Sequence, residues 1–206
     1  MMRVAAVILA GGTGERLGGV IKANLEIGGT RLLERVSSAL GPLPAPVIVA
    51  HGATPPEALG LLPGQIAVAD LLTAYGGPLA GLAAATNYCR DLPERPDALV
   101  MIAVDTPFVP GDYVSRLVTA LGDSAPAVIA RYGEQAYPTS SIWRLEAIAG
   151  LPEDLVSGRA PHSLKRLAAA LGARSLDWPE TAGGDPFANV NTPDDLRRLA
   201  ARAARH

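Results

Sequence analysis

The segment Leu9 to Lys22, LAGGTGERLGGVIK, gathers the groups that a polyphosphate pocket needs. Its glycines let the backbone approach phosphate oxygens and present N–H groups, and Arg16 and Lys22 supply charge to balance them. Lys22 and Lys165 are the only lysines among 18 basic residues, so Lys22 suggests a place for a compact point charge on a slim stem. Asp105 closes the apolar run ALVMIAV and precedes Thr106-Pro107; Asp70 closes the run from Gln65 to Ala69. Asn189 and Asn191 come just before Thr192-Pro193-Asp194-Asp195. That tetrad reads as a helix start, with Thr as N-cap, Pro in the first position and acids in the first turn. Each feature also has a plain reading: a glycine turn, solvated cations, turn aspartates and loop amides.

These residues need a frame. Arg3 to Ala10 (RVAAVILA) and Ala98 to Val104 are continuously apolar, the pattern of strands buried on both faces of a parallel sheet. Val47 to Ala50, Gln65 to Ala69, Ala125 to Ala130 and Thr139 to Trp143 read as further strands. Helical stripes fall at Val114, Leu117, Val118 and Leu121, at Leu164, Leu167, Ala168 and Leu171, and at Leu196, Leu199, Ala200 and Ala203. Alternation of the two patterns predicts one α/β domain over residues 1–206, a three-layer, doubly wound, mostly parallel sheet. Ligands of such sheets bind beyond the carboxyl ends of the strands, where the glycine loop and Asp105 both fall. Gly41 to Pro46 and Thr54 to Pro63 read as loops, and Glu180 to Pro186 as a mobile segment.

Spacing excludes two common phosphate motifs. The dinucleotide fingerprint requires a third glycine where Leu17 stands, and the P-loop requires Gly before Lys22 and Ser or Thr after it, where Ile21 and Ala23 stand. The string LAGGTGERLGGVIKANLEIGGTRLLERV instead resembles the signature of nucleotidyltransferases, and most of all that of the molybdenum cofactor guanylyltransferase family. The resemblance continues in order through GGPLAGL (76–82), DTPF (105–108), YPT (137–139) and FANVNTPDDL (187–196).

The resemblance implies a Rossmann-like nucleotidyltransferase fold and transfer of GMP from GTP to the terminal phosphate of molybdopterin-bound molybdenum, with release of pyrophosphate. It implies Mg²⁺ as cofactor, held by Asp105. Lys22 would meet the α-phosphate and Arg16 the β- and γ-phosphates, making Arg16, Lys22 and Asp105 the catalytic set. Leu9, Ala10, Gly11, Gly12, Gly14, Lys22, Asp70 and Asp105 would bind the nucleotide. Pro78, Leu79, Gly81, Asn189 and Asn191 would bind the acceptor. Partners would be GTP, Mo-molybdopterin and molybdoenzyme or cofactor-biosynthesis proteins. Ile21 and Ala50 replace polar residues of the family, and Tyr137 stands where a His often precedes the Pro-Thr pair. Use of CTP, a sugar-phosphate acceptor, or nucleotide binding without turnover are the alternatives.

Bulk properties fit a cytoplasmic enzyme. At 49% hydrophobic and 18% charged residues the chain has the composition of a globular domain. A net charge of −2 argues against a general nucleic-acid binder. Cys89 is the only cysteine, so neither an internal disulfide nor a Cys-rich zinc site is available. No apolar run has the length of a membrane span, and the N-terminal residues read as strand rather than as a secretion signal.

Overall fold

The computed structural model describes residues 2–12, 14–71, 76–180 and 183–204. The chain runs β1 (Val4–Leu9), β2 (Glu26–Ile27), β3 (Thr30–Arg31), α1 (Leu32–Leu40), β4 (Val47–Ala50), β5 (Gln65–Val68), α2 (Pro78–Arg90) and β6 (Ala98–Ala103). It continues with α3 (Tyr113–Leu121), β7 (Ala127–Tyr132), β8 (Gln135–Arg144), α4 (Leu151–Val156), α5 (Leu164–Leu171), β9 (Arg174–Trp178) and α6 (Pro193–Ala203). The main sheet has the order β5-β4-β1-β6-β8-β7-β9, and β8 alone runs against its neighbours. The expected mostly parallel, doubly wound sheet is therefore what forms. β2 and β3 make a separate small hairpin.

β1 shows why its sequence has no alternation. Val4, Ala6 and Ile8 face one core, which also holds Val36 of α1, Leu117 of α3 and Leu199 of α6. Ala5 and Val7 face the other, with Leu82 of α2, Leu155 of α4 and Leu164 of α5. A central strand covered on both faces has no polar side to show. Hence the three layers.

The predicted strands appear with small shifts at their ends. β7 starts at Ala127 rather than Ala125, because Pro126 has no N–H for the ladder and only its carbonyl is used, by the Arg144 amide. The Thr139 to Trp143 strand extends to Gln135–Arg144 as the return arm of a hairpin with β7, turned through Gly133. The three predicted helical stripes lie in α3, α5 and α6. The loop at 54–63 contains a short 3₁₀ turn, Pro56–Ala58. Of the segment read as mobile, 181–182 fall outside the described residues; Asp185 to Phe187 are tied to the core as described below. Among the described residues no helix is long and apolar enough to cross a membrane.

Candidate active site

A cavity of about 260 Å³ opens beyond the carboxyl ends of β1, β4 and β6. Leu9, Gly11, Gly12, Lys22, Ala50, Asp70, Pro78, Gly81, Asp105 and Asn189 line it, with Gly77, Ala103, Val104 and Thr139. β1 delivers the glycine loop and β6 delivers Asp105, as parallel neighbours that end together: Leu9 lies opposite Ala103. The Val104 amide then donates to the Leu9 carbonyl at 3.0 Å, which locks the two strand exits side by side.

The loop's first glycine is demanded by contact. A Cβ on Gly11 would sit 2.8 Å from the Gly52 amide nitrogen, so the chain after β1 and the chain after β4 can cross only as bare backbone. The Gly11 and Gly12 amides have no hydrogen-bond partner among the described residues. They are donors at the cavity wall. The Ala10 amide is different: it donates to the Ala50 carbonyl at 2.8 Å, and Ala10 is buried away from the cavity. Gly14 is also away from the lining. It turns the chain at φ 57°, and its carbonyl accepts from the Leu17 and Gly19 amides. Arg16 follows on an exposed 3₁₀ turn, Glu15–Leu17, with no hydrogen bond or ion pair among the described residues.

Lys22 is the centre of the arrangement. Its Nζ donates to Asp105 Oδ2 at 2.6 Å and to Asn191 Oδ1 at 2.8 Å. An ammonium has three N–H bonds, so one donor remains for a phosphate oxygen. The Lys22 and Asp105 side chains are only 12% and 13% exposed, so their attraction is screened far less than that of a surface pair. Asp105 Oδ1 is buried and has no hydrogen-bond partner among the described residues. A carboxylate oxygen in that condition is costly unless something positive or a donor meets it.

Asp105 and the asparagines form one polar wall. The Val190 amide donates to the Asp105 carbonyl at 2.9 Å, and Thr106 Oγ1 donates to Asn189 Oδ1 at 3.0 Å. α6 anchors the far end. Thr192 Oγ1 accepts from the Asp195 amide at 3.1 Å, while Asp195 Oδ2 accepts from the Thr192 amide at 3.0 Å and the Asn191 amide at 3.2 Å. The capping box thus holds the residue that touches Lys22.

The opposite wall is the start of α2. Gly77, Pro78 and Gly81 face the cavity, whereas Leu79 packs in the core. A Cβ on Gly81 would fall 2.6 Å from Leu9 Cδ2, 3.2 Å from Ala50 Cβ and 3.8 Å from Asp70 Oδ1. Gly81 therefore keeps open the corner where Asp70 lies. Desolvation raises the Asp70 carboxyl above the usual Asp range, partly offset by His51. His51 itself hydrogen-bonds the Thr54 carbonyl through Nδ1, at 2.7 Å.

The structure therefore brings together Leu9, Gly11, Gly12, Lys22, Asp70, Pro78, Gly81, Asp105 and Asn189 at the cavity, with Asn191 joined through Lys22. Ala10, Gly14, Arg16 and Leu79 stand behind or beside it. Ala50 and Thr139 line it as well. Thr139 is brought there by a bulge in β8: Ile129 pairs with Ser141 but Ala130 with Tyr137, so Pro138 to Ser140 leave the ladder. The proline after Tyr137 was the visible sign of that break.

A glycine loop and a lysine paired with a carboxylate at the mouth of a doubly wound sheet are the equipment of a nucleotidyltransferase. A model of the MobA-like NTP transferase domain matches residues 6–177, and the chain belongs to that family. It is 36% identical over 197 residues to a molybdenum cofactor guanylyltransferase of Cereibacter sphaeroides, covering 96% of this chain and 95% of that protein. Its fold is similar to that of molybdopterin-guanine dinucleotide biosynthesis protein A from Archaeoglobus fulgidus, with a TM-score of 0.76 at 21% identity over 98% of this chain and all of the other. It is also similar to 2-C-methyl-D-erythritol 4-phosphate cytidylyltransferase from Thermus thermophilus, with a TM-score of 0.67 at 21% identity over 98% and 100% of the two chains.

Proposed function

We propose that the chain is a molybdenum cofactor guanylyltransferase, which transfers GMP from GTP to the terminal phosphate of Mo-molybdopterin. The observation that carries this is the Lys22–Asp105–Asn191 contact at the cavity, joined to the near full-length similarity to proteins of that name. An acceptor phosphate oxygen attacks the α-phosphorus of GTP. The new P–O bond forms as the bond to the β-phosphate oxygen breaks, and pyrophosphate leaves with that electron pair. The nucleophile is already an anion, so alignment and charge neutralisation are what the protein must supply.

The Gly11 and Gly12 amides receive phosphate oxygens, and the third Lys22 donor meets the α-phosphate. Arg16, on its exposed turn, reaches the β- and γ-phosphates, for which its planar fork is suited. Asp70 accepts from the base edge in the corner kept open by Gly81. Asn189 and Asn191, beside the N-terminus of α6, receive the anionic acceptor. Asp105 fits Mg²⁺, since its Oδ1 is buried and unpartnered among the described residues and this ion needs only one or two carboxylates besides waters and phosphate oxygens. When bound, Mg²⁺ supplies neutralisation of the phosphate charge. We place the reaction in the cytoplasm.

A second reading, with CTP as donor, follows from one feature: Ala50 gives the base corner only a methyl group, so no side-chain hydrogen bond from that position selects guanine. Thermal shift with GTP, CTP, ATP and UTP, each with Mg²⁺, separates the two. A ligand that binds only the folded state must raise its stability. GTP alone should raise Tm. A rise with CTP alone establishes the second reading, and no rise with any of the four leaves neither.

A further inference from the structure

The acceptor residues are held in place by a contact outside the cavity. Tyr137, the last β8 residue before the bulge, donates its hydroxyl to Asp185 Oδ2 at 2.5 Å. Asp185 Oδ1 accepts from the Phe187 amide at 2.8 Å, and the Asp185 carbonyl accepts from Arg202 Nη1 of α6 at 2.7 Å. One residue thus joins β8, α6 and the segment that leads to Asn189 and Asn191. Phe187 is fully buried, with its ring 5.3 Å from Tyr137, 5.1 Å from Trp178 and 6.2 Å from Tyr113 between centroids. Beyond it, Val190 donates to the Asp105 carbonyl and Asn191 accepts from Lys22. Neither Tyr137 nor Asp185 lines the cavity.

Ring packing alone does not require the hydroxyl. Aromatic contacts are tolerant of small slides, whereas a hydroxyl-to-carboxylate hydrogen bond weakens steeply once its distance or angle leaves a limited range. We propose that the Tyr137–Asp185 hydrogen bond is a positioning contact for the acceptor side, setting segment 185–191 so that Asn189 and Asn191 meet the acceptor's phosphate beside Asp105. Its catalytic consequence rests on the nucleotidyl-transfer reading; its structural core does not.

The pair is tested with Tyr137→Phe, which keeps the ring and removes the hydroxyl, and with Asp185→Asn. The asparagine carbonyl can still accept from Phe187 and its amide can donate to the tyrosine oxygen, so this variant is the conservative rescue. In Tyr137→Phe, amide exchange at Val190 and Asn191 should quicken by about tenfold, the lower end of what a hydrogen bond to a charged group is worth. Exchange in β1 and β6 and the affinity for Mg·GTP measured by calorimetry should not move. KM for Mo-molybdopterin should rise by a similar factor with KM for GTP unchanged, and Asp185→Asn should show a smaller effect. Unchanged exchange at Val190 and Asn191, or an equal rise throughout the sheet, overturns the proposal. So does a rise in KM for GTP with none for the acceptor. If the unsubstituted protein binds no Mg·GTP, the functional reading fails while the exchange data still decide the contact.

Discussion

Lys22 holds two partners and keeps a third donor, so its removal and that of Asp105 have different consequences. Lys22→Ala leaves the Asp105 carboxylate buried without its cation. Breaking a buried pair from one side costs about 3–5 kcal/mol, and the slight exposure of both ends puts this case at the low end. Asp105→Asn keeps an acceptor for Lys22 and the same shape but leaves the ammonium without its counter-charge, so it should also lower Tm, by less than Lys22→Ala. Both should lower pyrophosphate release by at least ~10²-fold, as loss of a charge-stabilising group at a phosphoryl centre does. A variant that keeps near-full release removes its residue from the catalytic set. Asp70 offers a subtler check. Its carboxyl is raised by desolvation, and only the ionised form accepts N–H groups from a base. GTP affinity should therefore fall on acidification at a higher pH than an ordinary Asp would allow. Asp70→Asn should bind more weakly at neutral pH and lack that dependence, as titration calorimetry across the acid range would register.

At the scale of elements, Gly81 separates stability from binding. It lies within α2, where Gly is worse than Ala by about 0.8–1.0 kcal/mol. The Cβ in Gly81→Ala would displace Leu9 Cδ2, the free end of a flexible side chain, and press on Ala50 Cβ. The two effects nearly cancel in stability, so Tm should change little. The base corner narrows, so nucleotide affinity should fall by about tenfold or more, given that overpacking costs ~1–3 kcal/mol and 1.4 kcal/mol is a decade. Calorimetric titration with Mg·GTP beside a melting curve reads both. The α6 cap is the complementary case: Thr192→Ala removes a side-chain acceptor and should cost about 1 kcal/mol while loosening Asn191. These elements differ in how plainly the sequence displays them. β1 and β6 are legible because burial on both faces leaves an uninterrupted apolar run, and α6 because TPDD is a cap. β9, RSLDW, is a mostly exposed edge strand with too little apolar pattern to stand out, and the two-residue β2 and β3 are too short for any period. α1 does carry a stripe, Leu32, Leu33, Val36 and Leu40, masked by the glycine signature that runs into it. The Tyr137–Asp185 contact is illegible because, although Pro138 marks the register break, nothing local says which residue 48 positions on the tyrosine hydroxyl will meet.

For the molecule as a whole, the ionisable groups that folding perturbs bound a pH window, with the raised Asp70 carboxyl alone, among the perturbed carboxylates of the described residues, acting in the opposite sense on the acid side. On the acid side, the Arg31 hydrogen bond lowers Glu34, that of Arg90 lowers Glu153 and that of Arg131 lowers Asp177. For Asp195, burial acts upward, but hydrogen bonds from Arg198, Thr192 and Asn191 leave it below the usual range. A carboxylate lowered in the fold adds stability that is complete above its unfolded pKa and disappears as pH falls through the folded one. On the alkaline side, desolvation raises Tyr113 and Tyr137, with Asp185 adding to the latter, and pushes the Cys89 thiol up to about 12. These groups are neutral in the fold, and their contribution is complete below the unfolded pKa and lost as pH rises toward the folded one. Stability should therefore be flat from about pH 5 to about pH 8 and fall on either side, the bounds being the reference values of carboxylates and of thiols. The two limbs arise in different places. The acid limb comes from surface pairs and the α6 cap, so it should be gradual and salt-sensitive. The alkaline limb comes from buried groups, so salt should affect it little. Urea unfolding from pH 3 to pH 11 at two salt concentrations would show this. Tyr137→Phe should flatten part of the alkaline limb and leave the acid limb unchanged, since it removes one of the groups that must lose a proton there. An alkaline limb identical in that variant would assign the loss to Tyr113 and Cys89 alone.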